Sequence, residues 1–379
     1  MKKVLLLGAS GSIGTQSLDI IDKYPNEFDL VGFSVGHNYG VIPTLLSKYP
    51  NIKTVYLIDN KVKNEFSHRY PSVTFYSGEK GLADLVNNSD FEMAIDALVG
   101  FAGAEPAILT LKKNKILCLA NKEALVTAGN IINDLLDKGF GKLYPIDSEH
   151  VAIAKCLSKV KREDVEKIIL TASGGALRNL SLDEVKNATP EDALNHPTWK
   201  MGNKITIDSA TMMNKGFEIV EACYLFHFPI EMIEVVMHDE SLVHSGLLLK
   251  DGSYVIDYGK PDMHNPIEYA MFEGKNKFEV MHINSLDELK DCHFHQYDKR
   301  RYPLTELAKT CFELSGSKLV ALNAANEIAV QRFLNHDLTY MQMHNIIFKC
   351  VSEEELITCP SFRLIKSIDK RVRKEAKKL

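Results

Sequence analysis

The chain has 379 residues, 45% hydrophobic and 25% charged, with 45 Lys+Arg against 50 Asp+Glu and a formal net charge of −5. That length calls for two or three cores, and the slight acidity argues against general affinity for nucleic acid, which needs a basic face. No apolar run reaches the ~18–20 residues of a membrane span, and Val4–Leu7 meets a glycine too early for the core of a signal peptide. The seven scattered cysteines, without a CxxC pair, read as reduced thiols of a cytoplasmic chain rather than as a disulfide or zinc framework.

Along residues 1–147, short β-rich runs alternate with helical ones, the pattern of a parallel sheet with crossover helices. Strands are predicted at "KVLLLGAS", "DLVGFSVG", "IKTVYLI", "FEMAIDALV", "KILCLA" and "KLYPI", with helices at "IGTQSLDIIDKY" and "NKEALVTAGNIINDLLDKG". Residues 148–285 hold the runs "EKIILTAS", "IEVVMHD", "LVHSGLLL" and "SYVIDYG" and one strong helix, which predicts an α+β domain with a mostly antiparallel sheet. Residues 286–304 read as a linker and 305–379 as a helical bundle, whose tail "KSIDKRVRKEAKKL" is a solvated helix end.

"GASGSIG" sets glycines at 8, 11 and 14 between the first strand and the first helix. Glycines there let the backbone turn sharply and approach a pyrophosphate, whose charge meets amides at the helix N-terminus. A tight turn without a ligand is the plain alternative, and the position after an N-terminal strand favours a dinucleotide. An NAD site usually carries an acid after the second strand, but "FSVGHNYG" offers Gly36, His37 and Asn38 instead, which favours NADP. His37 serves equally well as an ordinary loop residue.

Further along, Asn121 is the expected cap of a helix whose first turn carries Lys122 and Glu123. A cation there opposes the helix dipole by ~0.3–1 kcal/mol, so Lys122 is either solvated beside Glu123 or kept for a purpose. "YPIDSEH" sends Asp147 and Glu149 off a strand end on one side, where two carboxylates repel unless a cation joins them. "LTASGG" converges amides and the Ser173 hydroxyl on one point, suited to a phosphate though also common in plain loops. "NHPTWKMG" carries His196 and the single tryptophan, Trp199, on a loop that either closes over a substrate or packs inward. In "IDSATMMNKGFEIVEA", Ser209 is expected to cap a helix from Ala210 to Phe226, with Asn214 and Glu218 on one face and Lys215 beside them. An amphipathic surface helix explains those charges too. In combination, Ser173, Ser209, Asn214 and Lys215 suit a phosphate monoester, and Asp147, Glu149 and Glu218 suit a hard cation such as Mg²⁺ or Mn²⁺.

These stretches, with "GKPDMHNPIEYA" and "LNAANEIAV", occur in order from residue 8 to about 330, and together they resemble the 1-deoxy-D-xylulose 5-phosphate reductoisomerase family. The resemblance implies a homodimer with an N-terminal Rossmann-like NADPH domain, a central α+β catalytic and dimerisation domain and a C-terminal helical bundle. It implies conversion of 1-deoxy-D-xylulose 5-phosphate to 2-C-methyl-D-erythritol 4-phosphate in non-mevalonate isoprenoid synthesis. By position, Ser10, Gly11, Ser12, Ile13, Gly36, His37 and Asn38 would line the cofactor site, with Met201 and Gly202 near it. Asn121, Lys122 and Glu123 would serve where cofactor and substrate react. Asp147, Glu149 and Glu218 would hold the metal, Ser148 would touch the substrate, and Ser173, His196, Ser209, Asn214 and Lys215 would bind its phosphate under a Trp199 lid. Three places depart from the family pattern. His37 stands where lysine or arginine is common, Asp239 and Glu240 replace proline and glutamine, and "MFEGKNKFEV" reads unusually. His244, next to the second of these, is a candidate to support the site. Two rivals explain the first 147 residues alone: another NADP-dependent dehydrogenase of a small aldehyde, and a non-catalytic NADP-binding regulator.

Overall fold

The computed structural model describes residues 1–199, 201–275 and 292–379, so Lys200, the 276–285 end of the expected central domain and the first part of the expected linker lie outside the described residues. The chain forms two compact units.

The first unit comprises 1–124, 131–147 and the described residues 262–275. Its sheet has seven parallel strands: β1 (Lys2–Leu7), β2 (Phe28–Ser34), β3 (Thr54–Tyr56), β4 (Thr74–Tyr76), β5 (Met93–Asp96), β6 (Ile116–Leu119) and β7 (Lys142–Pro145). They lie in the order β4-β3-β2-β1-β5-β6-β7. Val4 to Leu7 are fully buried, which is why β1 reads as an unbroken apolar run rather than an alternating one. The chain reverses direction across the sheet between β1 and β5, and a doubly wound sheet binds ligands beyond the carboxyl ends of the strands at that point. The sequence pattern gave six of these strands. It missed β4, a three-residue edge strand with no apolar run of its own.

Residues 262–275, grouped with 148–285 by the sequence reading, pack in the first unit instead. The reason is an apolar face on helix His264–Met271, where Pro266, Ile267, Ala270 and Met271 are buried. Phe272 meets Tyr24 and Phe28 edge-on at 5.3 and 5.0 Å, and Tyr24 donates to Glu268 at 3.1 Å.

The second unit comprises 125–130, 148–261 and the described residues 292–379. Its sheet runs β11-β10-β8-β9-β12, with β8 (Val165–Ala172), β9 (Ile233–His238), β10 (Val243–Leu249), β11 (Tyr254–Tyr258) and β12 (Phe294–Gln296). The β8–β9 pair is parallel and the other three are antiparallel. Ile168, Leu170, Val235 and Leu247 of this sheet share a core with Ile219, Ala222 and Cys223 of helix Met213–Phe226. Four helices follow, Pro303–Leu314, Ser317–Leu334, Tyr340–Glu353 and Phe362–Ala376. They share this unit with the sheet: Thr305 donates to the Met212 carbonyl at 2.7 Å, and Asn326 to the buried Asp208 at 2.9 Å.

The helix expected from Ala210 to Phe226 is two helices, Asn203–Ala210 and Met213–Phe226, so Ser209 is no N-cap. It lies in the last turn of the first helix. Met212, in the left-handed conformation (φ 59°), makes the corner, which its full burial stabilises against the strain of that conformation.

Candidate active site

In the first unit, the glycine loop leaves β1 in a conformation that only glycine tolerates well. Gly8 has φ +91°, and a Cβ there would stand 2.5 Å from the Ala97 carbonyl oxygen; a Cβ on Gly14 would run into the Gly8 carbonyl. Gly11 is different: a side chain there would meet nothing closer than 3.4 Å, so packing does not demand glycine. Gly11 is exposed and is the N-cap of helix Ser12–Lys23, with no side-chain cap. Its openness suits close approach by a ligand to the first amides of the helix. Ser12 is exposed, and Ser10 and Ile13 are partly so. At the end of β2, Ser34 is committed to the loop, accepting the Gly8 amide at 2.8 Å. Gly36, His37 and Asn38 are exposed, and the His37 Nδ1 lies 3.5 Å from the Tyr39 hydroxyl.

Asn121 caps helix Lys122–Asp137 as expected, accepting the Ala124 amide at 2.8 Å. Its carboxamide also donates to the carbonyls of Leu98 and Gly100, at 2.8 and 2.9 Å. Lys122 is not a solvated lysine. It is 6% exposed, and its ammonium pairs with Asp147. Glu123 is 8% exposed.

Asp147 is followed directly by Ser148, the first residue of helix Ser148–Leu157, so the chain itself keeps it beside Glu149. The Ser148 hydroxyl donates to Glu149 Oε2 at 2.7 Å. Two buried residues of helix Met213–Phe226 face the same point. Lys215 donates to Glu149 Oε1 at 3.0 Å and pairs with Glu218, while Asn214 donates to the other Glu218 oxygen. The i, i+3 and i, i+4 spacing places all three side chains on one face, where Lys215 and Glu218 are buried and Asn214 is partly so. Burial opposes the charge on Lys215, but Glu149 and Glu218 outweigh it and hold its pKa above the ordinary lysine value. Behind them, fully buried His150 reaches the Glu218 carbonyl through Nε2 at 2.9 Å and Glu221 through Nδ1 at 3.3 Å.

Carboxylate oxygens of Asp147, Glu149 and Glu218 lie within 4.8 Å of one another. An octahedral Mg²⁺ holds its ligands at about 2.0–2.1 Å, which puts opposite oxygens about 4.2 Å and adjacent ones about 2.9 Å apart, so the three acids would draw inward around an ion. Their charge is met here by two ammonium groups, those of Lys122 and Lys215. The donors are all hard oxygens, and the set fits a divalent cation.

A second group forms at the end of β8. Gly174 and Gly175 have φ of 78° and 67°, and a Cβ on Gly175 would stand 2.6 Å from the Ser209 carbonyl oxygen, so the loop lies directly on the Ser209 turn. His196 Nδ1 faces the amides of Thr198 and Trp199 at 3.2 and 3.0 Å, and both can only donate. The proton of the neutral ring therefore sits on Nε2, which donates to Ser173 Oγ at 3.1 Å. Burial, followed by the nearby Arg178 guanidinium, keeps the His196 pKa below the ordinary value. With the Gly175 amide also directed at its oxygen (3.3 Å), the Ser173 hydroxyl keeps its own hydrogen for an incoming anion. Trp199 is partly buried, its ring 6.4 Å from that of His244, and Gly202 is exposed at the start of helix Asn203–Ala210.

Sequence reasoning missed Arg178, which donates to the carbonyls of Ser173 (3.0 Å) and Asp239 (3.1 Å) and so braces the serine-glycine loop. Its signal was an arginine five residues past Ser173. It also missed His150 and Glu221, each a single polar residue inside an apolar helix pattern.

Three family models match the chain: 1-deoxy-D-xylulose 5-phosphate reductoisomerase over residues 4–129, its C-terminal domain over 143–226, and the DXP reductoisomerase C-terminal domain over 258–375. A 1-deoxy-D-xylulose 5-phosphate reductoisomerase of Geobacillus sp. (strain WCH70) is 40% identical over 384 residues, covering 100% of both chains. One from Exiguobacterium sp. (strain ATCC BAA-1283 / AT1b) is 39% identical over 99% of this chain and 98% of the relative. A solved DOX-P reductoisomerase in complex with NADPH, fosmidomycin and magnesium superposes with a TM-score of 0.91 at 30% identity, covering 100% of this chain and 98% of that one. The Zymomonas mobilis reductoisomerase in complex with NADPH superposes with a TM-score of 0.88 at 32% identity, with the same coverage. The chain belongs to the 1-deoxy-D-xylulose 5-phosphate reductoisomerase family.

Proposed function

We propose that this chain isomerises and reduces 1-deoxy-D-xylulose 5-phosphate to 2-C-methyl-D-erythritol 4-phosphate, using NADPH and a divalent cation, Mg²⁺ or Mn²⁺. The observation that carries the reading is the three-carboxylate group of Asp147, Glu149 and Glu218, answered by two buried lysines. When bound, NADPH supplies the hydride and the cation supplies Lewis acidity. The protein's own groups do the rest.

Residues 1–147 hold the dinucleotide, with Ser10 to Ile13 at the pyrophosphate and Gly36, His37 and Asn38 at the 2′-phosphate. Asn121 and Gly202 complete the cofactor set, although the Asn121 side chain acts mainly by fixing the helix start. Asp147, Glu149 and Glu218 would hold the cation, whose charge would stand in for that which Lys122 and Lys215 supply here. Lys122 and Glu123 then face the substrate hydroxyls and move protons, and Ser148 orients the same end. Ser173, His196, Ser209, Asn214 and Lys215 grip the phosphate, so binding energy at the unreactive end positions the reacting carbons. Trp199 and its loop exclude water from the rearranging skeleton. The sheet of the second unit also supplies the contact of a homodimer, the helices of 305–379 complete that same unit, and the enzyme works in the cytoplasm. The rival readings as another NADP-dependent dehydrogenase or a regulator leave the carboxylate group and the Ser173–His196 pair without a use.

The test is Glu218→Gln, with NADPH oxidation followed against deoxyxylulose phosphate over a range of Mg²⁺ or Mn²⁺. We expect the cation requirement to rise by about 100-fold or more, since even residues outside the ligand shell cost 10–100-fold. Near-normal turnover at low cation concentration refutes the ligand assignment.

A further inference from the structure

Asp96 ends β5 with a wholly buried carboxyl that belongs to none of the motifs. Its carbonyl oxygen accepts the amides of Ala120 (2.9 Å) and Asn121 (3.2 Å), and its Oδ1 accepts that of Leu98 (3.2 Å). Asn121 returns the tie by donating to the Leu98 and Gly100 carbonyls. Strand end, loop and helix cap form a closed ring, and the next two residues it presents are Lys122 and Glu123. Gly103 packs against this ring: a Cβ there would stand 2.6 Å from Asn121 Nδ2 and 2.7 Å from Asp96 Oδ2.

Among the described residues, Oδ2 has no hydrogen-bond partner. A buried carboxylate oxygen without a donor bears the whole desolvation of its charge, and a proton on that oxygen removes the charge. Leu7 and Leu119 flank Asp96 in register on the neighbouring strands, and the loop from Ala97 to Gly103 contains no ionisable side chain. On the two helices that follow, the nearest ionisable residues in the chain are Glu105, Lys122, which pairs with Asp147, and Glu123. Burial, opposed by the Leu98 amide and assisted by the Glu123 carboxylate, pushes the Asp96 pKa up to about 8.

We propose that Asp96 is a positioning residue for the reaction: its uncharged carboxyl keeps the Leu98–Asn121 ring closed, and loss of its proton loosens the turn that presents Lys122 and Glu123. The proposal rests on the reading that those two residues serve the chemistry.

The test compares wild type with Asp96→Asn, which keeps the shape and carries no charge at any pH. With deoxyxylulose phosphate, NADPH and saturating Mg²⁺, wild-type kcat/KM should fall about tenfold per pH unit above about 8, and the variant should hold its plateau at least about one unit further. A second readout needs no activity. The folded-state pKa of Asp96 is raised, so its proton favours the fold and its contribution to stability declines as pH rises from the ordinary 3.8 to about 8. Asp96→Asn should lack that contribution, read as a pH-dependent difference between the two unfolding midpoints, and NMR titration of the Asp96 carboxyl reads it in wild type even if the variant does not fold. Coincident alkaline limbs, a midpoint difference between the two proteins that stays level across that range, or an Asp96 carboxyl that titrates near 3.8 in the folded protein overturns the proposal. A fully active Lys122→Ala would overturn the role given to Lys122 and leave the Asp96 stability comparison standing, so the two failures are distinguishable.

Discussion

Replacing Lys215 by methionine removes a charge and little volume from the middle of the carboxylate group. Lys215 is 3% exposed, and its ammonium pairs with Glu218, itself 1% exposed, and with Glu149 at 3.0 Å. Breaking a buried pair by removing one partner costs about 3–5 kcal/mol, because the other charge is left unmet. The Glu149 side chain is 20% exposed and water screens part of its share, so the lower end, about 3 kcal/mol, is the working figure. A divalent cation on the same oxygens restores the missing charge. Lys215→Met should therefore unfold at lower temperature than wild type in EDTA and recover most of the difference in Mg²⁺ or Mn²⁺. The ammonium competes with the cation in wild type, so the variant should bind Mn²⁺ more tightly in the absence of substrate, by up to about 100-fold if the full 3 kcal/mol transfers. Calorimetric titration of Mn²⁺ and thermal melts with and without metal measure both. Unchanged or weaker Mn²⁺ binding, together with a melting loss that metal does not relieve, refutes the idea that lysine and cation share these oxygens. In turnover the same variant should suffer through KM, since the phosphate loses a positive partner.

Ser173→Ala removes the hydroxyl that the His196 Nε2–H and the Gly175 amide leave free to donate. A hydrogen bond to a charged group is worth about 1.5–3 kcal/mol, so KM for the sugar phosphate should rise roughly ten- to a hundredfold with a smaller change in kcat; an unchanged KM removes Ser173 from the phosphate site. Gly14→Ala sets a methyl group against the Gly8 carbonyl and forces the loop away from the helix. NADPH affinity should fall at least about tenfold while Gly11→Ala, with no contact nearer than 3.4 Å to its Cβ in the free protein, retains the fold and fails only in binding; equal thermal stability of the two variants would contradict this division between packing and ligand approach.

The chemistry was legible where residue type and spacing carry their own reason. A glycine at 8 is demanded by φ +91°, and a helix with Asn214, Lys215 and Glu218 at three- and four-residue spacing turns those groups to one side whatever surrounds it. Burial was not legible. Lys122, Lys215 and Glu218 look like ordinary surface charges in the sequence, and only their pairing explains how they lie inside. Nor was the corner at Met212, because a left-handed methionine between two helix-forming stretches leaves no local signal and is held by packing from outside its own segment. The same holds for residues 262–275, whose short amphipathic helix could cover any apolar surface and is claimed by Tyr24 and Phe28.

The amino-acid order by itself determined the alternating strands and helices of the first 147 residues, the turn that suits a dinucleotide, and the set of acids, serines and lysines on offer. These follow from rules that act over a few residues: side-chain period, backbone strain and capping. The tertiary structure decided which of those groups meet. Glu149 and Glu218 are 69 residues apart, as their numbers give, and Ser173 and His196 belong to separate loops. Their encounter, the tautomer it imposes on His196 and the Asp96 oxygen left without a partner among the described residues are consequences of long-range packing, because only a folded interior strips water from a charge and leaves it to the nearest side chain.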